Sequence, residues 1–249
     1  MNPSPPSVSI LGLPIHAVTT RETLEWMAAA IAERRPRQIC TANPEFVMRA
    51  QRDSEFREVL KGADLVLPDG VGLLWAARWL GARLPERVAG SDLIYRIAEG
   101  GAARGWRLYL LGAAEGVAEK TAHLLAARCP GLNVVGTFAG SPAAPEANDL
   151  IARIRVAQPD VLLVAYGAPQ QDVWIARHRN RLNVPVSMGV GGTFDFVVGV
   201  AQRAPLWVRR LGLEWLHRLW WQPWRARRIF TAVVLFPLAV LRHGSNSAD

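Results

Sequence analysis

Short apolar runs alternate with longer segments of helical spacing along most of the chain. In the helical segments, apolar residues recur three and four positions apart, as between Thr20 and Arg34, where Thr20 is the expected N-cap. The apolar runs are bounded by turns rich in glycine, proline, aspartate and asparagine. They predict strands at residues 8–11, 38–41, 65–67, 106–111, 133–138, 160–165 and 186–190.

The order of the elements predicts an α/β fold. Helices are expected between the strands, at about residues 20–34, 46–56, 71–79, 93–103, 117–128 and 147–156. Strands separated by helices run parallel and are covered on both faces. The sequence therefore predicts a Rossmann-like, mostly parallel sheet of six or seven strands, without an internal repeat.

One strand end carries a carboxylate. The strand at 65–67 stops at Pro68-Asp69-Gly70, so Asp69 lies on the turn that follows it. Ligands of open α/β sheets bind at the carboxyl ends of the strands. Asp69 is therefore placed where a general base would lie. The alternative is that it only caps the helix that begins near Val71.

Two further polar residues lie in comparable turns. Asn43 follows the strand at 38–41, and Pro44 behind it makes a plain N-cap role the alternative. Arg87 lies in the polar turn 84–92, where an exposed arginine is often only solvated. Ser91 or Asp92 is expected to cap the helix after this turn.

Glycine turns follow two strands of the second half. Gly112 and Gly191-Gly192 would let the backbone approach a diphosphate at a helix N-terminus. Neither matches G-x-G-x-x-G or the P-loop, and tight turns alone are the alternative explanation.

The charge is concentrated at the end of the chain. The 249 residues carry a net charge of +8 with a pI of about 10.6. Residues 201–249 hold eight arginines against two acidic residues, a net charge of +6. Five of the ten tryptophans fall within the same stretch, at positions 207, 215, 220, 221 and 224.

An uncharged segment, 229–241, follows and is broken by Pro237. It is too short to span a bilayer, and basic and aromatic residues beside it are typical of an in-plane membrane element. A helix pair packed on the core or on another subunit is the alternative. Nucleic-acid binding is disfavoured because no nucleic-acid module pattern accompanies the arginines.

Several kinds of chemistry lack their motifs. There is no G-x-S-x-G, no H-E-x-x-H and no D-x-D, and Asp53-Ser54-Glu55, which comes nearest to D-x-D, is expected to face water. Cys40 and Cys129 make neither a disulfide framework nor a zinc site. A reducing cytoplasm is expected from this cysteine usage. No signal peptide is recognised in the first nine residues.

Six stretches in a fixed order resemble the WecG/TagA/CpsF family of bacterial glycosyltransferases (glycosyltransferase family 26). The resemblance covers about residues 8–228. The stretches are Thr41-Ala42-Asn43-Pro44-Glu45, Pro68-Asp69-Gly70-Val71-Gly72, Arg87-Val88-Ala89-Gly90-Ser91-Asp92, Gly167-Ala168-Pro169-Gln170-Gln171-Asp172, Gly191-Gly192-Thr193-Phe194-Asp195-Phe196, and Arg203-Ala204-Pro205 with Glu214-Trp215.

The resemblance implies an inverting transfer of a sugar from a UDP-sugar to a polyprenyl-diphosphate-linked saccharide, without metal or other cofactor. It implies that Asp69 is the general base, that Thr41 and Asn43 orient sugar and acceptor, and that Arg87 and Gln171 meet the donor. The family commonly has glutamate where this chain has Asp172, so that residue receives no role. The arginines implied to reach the diphosphate or the membrane are Arg210, Arg218, Arg225, Arg227 and Arg228.

The resemblance also implies a location and two domains. The enzyme would act as a peripheral protein at the cytoplasmic face of the bacterial inner membrane, on an anionic surface. Residues 1–205 would form the catalytic core and residues 206–249 a membrane-binding appendage. A homo-oligomer would cover the apolar face of a mobile appendage. A non-catalytic nucleotide-binding subunit of a polysaccharide assembly complex is the alternative function, and the donor sugar stays open.

Overall fold

A six-stranded parallel sheet forms the centre of the protein, in a computed structural model that describes residues 5–142, 144–201, 205, 208, 214–221, 224 and 226–243. The strands are β1 (Ser7–Ile10), β2 (Leu13–His16), β3 (Arg37–Ala42), β4 (Leu65–Pro68), β5 (Arg107–Gly112), β6 (Asn133–Phe138), β7 (Val161–Ala165) and β8 (Val186–Gly189). The large sheet has the order β4-β3-β8-β7-β5-β6, and all its neighbouring strands are parallel. The predicted mostly parallel α/β fold is confirmed.

Helices connect these strands. They are α1 (Thr20–Glu33), α2 (Pro44–Ala50), α3 (Ser54–Gly62), α4 (Val71–Trp79), α5 (Gly90–Arg104), α6 (Val117–Arg128), α7 (Ala144–Ala157), α8 (Gln170–Leu182), α9 (Thr193–Val197), α10 (Glu214–Trp221), α11 (Ala226–Phe230) and α12 (Phe236–His243). In the described part of the chain, none of the helices is both long enough and apolar enough to cross a bilayer.

Both faces of the sheet are covered. Side chains along a strand point alternately to the two faces, and Leu108 and Leu110 of β5 join a buried core with α1, α5 and α6. Tyr109 and Leu111 point the other way and pack with α7 and α8. On that second face, a further cluster joins β3 and β4 to α2, α3 and α4.

A hairpin that the sequence did not predict covers the edge strand β4. β1 pairs antiparallel with β2 across the two-residue turn Leu11-Gly12, and both turn residues have positive φ. The Val66 N–H of β4 donates to His16 Nδ1 at 2.9 Å. The hairpin therefore occupies an edge that would otherwise expose unpaired backbone groups.

Three predicted helix starts are corrected. The N-cap of α1 is Thr19, not Thr20, because the Thr19 hydroxyl accepts from the Glu22 N–H and the Glu22 carboxylate accepts from the Thr19 N–H. The predicted helix at 46–56 is two helices, since the Asp53 carboxylate accepts from the Phe56 N–H and starts α3. Helix α5 begins at Gly90, ahead of the expected caps Ser91 and Asp92.

The described end of the chain is helical and packs on the core. Phe236 and Val240 of α12 are buried in the cluster that contains α2 and α4. A π-helical turn, Thr231–Leu235, separates α11 from α12. Pro237 lacks an N–H and would crowd the carbonyl four residues earlier in a regular α-helix, so the wider turn accommodates it.

Candidate active site

Asp69 lies where β3, β4 and α5 meet. Its backbone N–H donates to the Ala42 carbonyl at 2.7 Å, which extends the pairing of β3 and β4 by one step. Its Oδ2 accepts from the Gly90 N–H, the first residue of α5, at 3.2 Å. The Asp69 carboxylate therefore lies at the helix end that carries partial positive charge.

The alternative role of Asp69 as the cap of α4 is not what the structure shows. The N-cap of α4 is Gly70, and α4 has no side-chain cap hydrogen bond. Asp69 instead binds the start of α5, which lies 21 residues later in the chain. A half-buried carboxylate at the carboxyl edge of a parallel sheet is suited to take a proton from a bound hydroxyl.

Thr41 and Asn43 lie beside Asp69. A methyl group built on Gly90 would lie 3.5 Å from Thr41 Cγ2, so the buried Thr41 side chain packs against the same helix start. Asn43 Oδ1 accepts from the Phe46 N–H at 3.0 Å, which confirms the N-cap role with Pro44 at the first helical position. Capping uses the amide oxygen of Asn43 and leaves its NH₂ group as the donor for another contact.

The turns that carry Asn43 and Asp69 are packed tightly together. A methyl group on Gly70 would lie 2.9 Å from Pro44 Cδ, and one on Gly72 would lie 2.7 Å from Pro44 Cγ. Only glycine fits at both positions without a shift of the proline ring. The Pro-Asp-Gly-Val-Gly motif thus fixes the distance between two strand ends.

Arg87 lies on the loop that returns from α4 to this edge. The Val88 N–H donates to the Pro68 carbonyl at 2.9 Å, which ties the loop to the end of β4. The Arg87 guanidinium is half-buried and lies 3.4 Å from the Asp92 carboxylate. Arg87 is therefore close to the Asp69 turn in the fold and is partly ordered by Asp92.

Gln171 joins two other turns of the same edge. It is 2% exposed, and its Oε1 accepts from the Gly191 N–H at 2.8 Å. This bond links the turn after β7 to the turn after β8. β8 lies between β7 and β3 in the sheet. Gln171, which follows β7, and Thr41, near the end of β3, therefore lie at the same edge of the sheet.

Asp172 is the polar group that the sequence did not explain. It is fully buried, and burial raises the pKa of its carboxyl to about 7. Neither carboxylate oxygen makes a hydrogen bond of ordinary geometry within the described structure. The Cys40 thiol and the Gln171 amide are close enough to lower the pKa of Asp172, which partly offsets the increase caused by burial. Burial, and secondarily Asp172, likewise raise the pKa of Cys40.

Gly189 makes room for this group. A methyl group on Gly189 would lie 2.5 Å from Gln171 Nε2 and 2.7 Å from Asp172 Oδ1. The carboxylate therefore lies directly below the backbone of β8, behind Gln171. No local sequence signal marks Asp172 as buried, since an aspartate in the first turn of a helix is ordinarily exposed.

The glycine turns have different roles. Gly112 has φ of +95°, and a methyl group there would lie 2.9 Å from the Ala165 carbonyl carbon and oxygen. Its small size is explained by the close approach of β5 and β7. At Gly191, the backbone N–H is already bound to Gln171.

In the described part of the C-terminal segment, Arg228 contacts the helix that begins at the candidate site. Arg228 Nε lies 2.7 Å from the Glu45 carboxylate in the first turn of α2, two residues after Asn43. Arg227 is exposed. Arg210 and Arg225 lie outside the described residues, as do the side chain of Arg218 and the motif residues Arg203-Ala204.

Two observations concern other candidate sites. No group of three or more histidine, cysteine or acidic side chains in the described ranges could hold a metal ion. A surface cavity of about 360 Å³ lies at the amino ends of the strands, lined by residues that include His16, Arg37 and Asp64. That edge is opposite the one where ligands of parallel α/β sheets bind, so the candidate site is placed at Asp69.

A parallel sheet with a carboxylate, a threonine and two amides at its carboxyl edge is the arrangement of an α/β enzyme. The model of the WecG/TagA/CpsF glycosyl transferase family matches residues 8–248, and the chain belongs to this family. It is a glycosyltransferase, as the six motifs predicted.

Two relatives show how far the similarity extends. A Bacillus subtilis (strain 168) protein named N-acetylglucosaminyldiphosphoundecaprenol N-acetyl-β-D-mannosaminyltransferase is 33% identical over 209 residues, which cover 84% of this chain and 80% of the relative. A Staphylococcus aureus (strain NCTC 8325) protein of the same name is 30% identical over 215 residues, or 85% and 83% of the two chains.

Proposed function

We propose that this protein transfers a sugar, such as N-acetylmannosamine, from a UDP-sugar to a polyprenyl-diphosphate-linked saccharide, with inversion and without a metal ion. The observation that carries the proposal is the position of Asp69 at the junction of β3, β4 and α5. The relatives' names supply the substrate classes: a diphosphoundecaprenol-linked N-acetylglucosamine acceptor and an N-acetylmannosaminyl group.

Asp69 is assigned as the general base. It takes the proton of the acceptor hydroxyl while that oxygen forms a bond to the anomeric carbon. The bond from the anomeric carbon to the diphosphate oxygen breaks at the same carbon, and UDP leaves with the electron pair. Attack from the side opposite UDP inverts the anomeric configuration.

The neighbouring side chains are assigned to binding. Thr41 and the NH₂ group of Asn43, which the cap of α2 does not use, orient the sugars beside Asp69, and Gln171 positions the turn that meets the donor. Arg87 and arginines of the C-terminal segment balance the negative charge that develops on the leaving diphosphate. The Arg228–Glu45 pair supports this assignment, because it brings the segment to the helix that begins beside Asn43.

The location follows from the substrate. An acceptor held in the membrane by its lipid requires the enzyme at the membrane surface, and a UDP-sugar donor places that surface on the cytoplasmic side. We assign residues 1–205 to the catalytic core and 206–249 to a membrane-binding appendage. The exposed Trp220 and Trp224 and the basic charge of the appendage support this division.

The test is UDP release from a panel of UDP-sugars with a prenyl-diphosphate-GlcNAc acceptor, in the presence of EDTA. Asp69→Asn keeps an oxygen for the Gly90 N–H but cannot accept the proton, so turnover should fall about 10²- to 10⁴-fold with the melting temperature nearly unchanged. Asp53→Asn is the matched control, because Asp53 also accepts a helix N–H but lies at the start of α3.

Each possible result is decisive. Turnover that requires added Mg²⁺ would contradict the metal-free mechanism. An Asp69→Asn variant that retains more than a tenth of wild-type turnover would exclude Asp69 as the base. UDP binding without turnover of any donor, also with longer lipid-linked saccharides on liposomes, would favour the non-catalytic subunit.

A further inference from the structure

Helix α4 exposes two large aromatic side chains. Trp75 and Trp79 are 71% and 60% exposed, whereas Leu73, Ala76 and Ala77 of the same helix are buried. Residues four positions apart lie on one face of a helix. The buried face of α4 holds it on the core, so the tryptophan face points away from the core.

The helix next to α4 also has an exposed apolar face. α12 contacts α4 and buries Phe236 and Val240. Leu238 and Leu241 of α12 are 43% and 54% exposed. Exposed apolar residues on neighbouring elements are characteristic of a surface that binds a partner or a membrane.

Within α4 with its following turn, and within residues 226–243, the charged side chains are basic, and the acidic partner of Arg228 is Glu45 of α2. Residues 71–83 contain the exposed Arg78 and Arg83 and no acidic residue. Residues 226–243 contain Arg227, Arg228 and Arg242, all exposed, and again no acidic residue. Tryptophans flanked by arginines suit the headgroup region of an anionic bilayer, where the ring is half-immersed and the cation meets phosphate.

We propose that the Trp75/Trp79 face of α4 is a membrane-binding surface of the catalytic core itself, and that it binds anionic phospholipid together with the C-terminal segment. The proposal depends on the proposed function in one respect, which is that the surface brings a lipid-linked acceptor to the active site. A second copy of the chain is the less suitable occupant, because pairing two such surfaces would oppose arginine with arginine.

The position of α4 gives this surface a consequence for catalysis. α4 begins at Val71, two residues after Asp69, and Trp75 lies about 6 Å further along the helix axis at 1.5 Å per residue. An α4 bound at the headgroups therefore holds the Asp69 edge near the depth of a prenyl diphosphate. The acceptor then needs only a short displacement from the bilayer to reach the base.

The experiment compares vesicle binding of the full chain and of Trp75→Ala/Trp79→Ala. Binding is measured by co-sedimentation with phosphatidylcholine vesicles, with and without phosphatidylglycerol. The double variant should bind the anionic vesicles at least tenfold more weakly. Val156→Ala/Leu124→Ala, which removes exposed apolar side chains from α7 and α6, should bind like wild type. Thermal unfolding verifies that each variant is folded.

Turnover separates this proposal from the proposed function. With a short-chain, water-soluble acceptor, the double variant should retain wild-type turnover, whereas turnover of acceptor in vesicles should fall with binding. Absence of turnover by wild type would count against the proposed function and leave the vesicle result valid. Unchanged anionic-vesicle binding in the double variant would overturn the proposal. Loss of a dimer on size-exclusion chromatography, with vesicle binding unchanged, would assign the face to self-association instead.

Discussion

At the scale of single residues, burial changes the chemistry of Asp172. An exposed aspartate titrates near pH 4, whereas burial raises the pKa of Asp172 to about 7. The side chain lies behind Gln171 and under Gly189, both at the candidate site. Its protonation is therefore linked to the packing that holds the Gln171 turn.

The sign of the resulting pH dependence follows from proton binding. Between about pH 4 and pH 7, the folded protein holds a proton on Asp172 that the unfolded chain releases. The contribution of Asp172 to the free energy of unfolding is therefore fully present below about pH 4. It is lost as the pH rises through about 7, by an amount on the order of 4 kcal/mol.

Asp172→Asn should remove this pH dependence, because asparagine has the shape of the protonated acid and does not titrate. The measurement is urea unfolding of both proteins at pH 5 and pH 8. The wild-type protein should lose more stability between these values than the variant does. Equal losses in the two proteins would show that Asp172 does not titrate in this range.

At the scale of elements, the packing of the α2 and α4 starts controls the distance between Asn43 and Asp69. Gly72→Ala would place a methyl group 2.7 Å from the rigid Pro44 ring, so one of the two turns has to move. We expect a loss of about 1–3 kcal/mol in stability and reduced turnover. Gly62→Ala, at the end of α3 with no atom within 4 Å of the added methyl group, is the matched control.

Chemical denaturation and UDP release measure the two effects. A Gly72→Ala protein as stable and active as Gly62→Ala would show that the turns tolerate a side chain and that their contact does not set the site. The glycine motif would then have to be explained by something other than packing.

Phe236 is the largest side chain by which the described end of the chain packs on the core, together with Val240. Phe236 is 1% exposed and packs in the cluster with α2 and α4. Truncation of a buried phenylalanine costs about 3–5 kcal/mol, more than an exposed ion pair such as Arg228–Glu45 contributes. Phe236→Ala should therefore release the segment from the core.

Limited trypsin proteolysis reports this release, because Arg227, Arg228 and Arg242 lie within the segment. Cleavage there should be at least tenfold faster in Phe236→Ala. Phe230→Ala serves as the control, since Phe230 is half-exposed. Equal cleavage in both variants would mean that Phe236 does not hold the segment on the core.

At the scale of the whole molecule, most of the excess positive charge lies in the last fifth of the chain. The net charge of the chain is +8, and residues 201–249 alone carry +6. The proposed domain boundary at 205/206 falls in a part of the chain that the structure describes only at isolated residues. This distribution of charge predicts that added salt weakens membrane binding more than it slows the transfer reaction itself.

Added salt should reduce turnover of a lipid-linked acceptor in anionic vesicles, because it screens exposed charges beyond about 10 Å at 0.1 M. Turnover of a water-soluble acceptor should change much less, since the Asp69 and Gln171 contacts are partly or fully buried. The measurement is a salt titration with both acceptors. Equal decreases in turnover for the two acceptors would show that salt acts on the active site and not on membrane binding.

Local patterns determined most of the elements and placed Asp69, Asn43 and Arg87 in turns, whereas Thr41, Gln171 and the C-terminal arginines were implied only by the family resemblance. Apolar runs gave seven of the eight strands, and the Asn43-Pro44 pair identified a helix start that the structure confirms. These signals are readable because strand burial and capping act between residues that are close in the chain. The β1–β2 hairpin was not predicted from the sequence because its turn, Leu11-Gly12, lacks the usual asparagine or aspartate of such turns.

Only the tertiary structure decided which groups meet. The order β4-β3-β8-β7-β5-β6 brings Thr41 and Gln171 to one edge, and α5 rather than α4 supplies the N–H that binds Asp69. The burial of Asp172 depends on the backbone of β8, which lies beyond α8 in the chain. Pairings between distant segments have no local signature, because their free energy arises only when the sheet has formed.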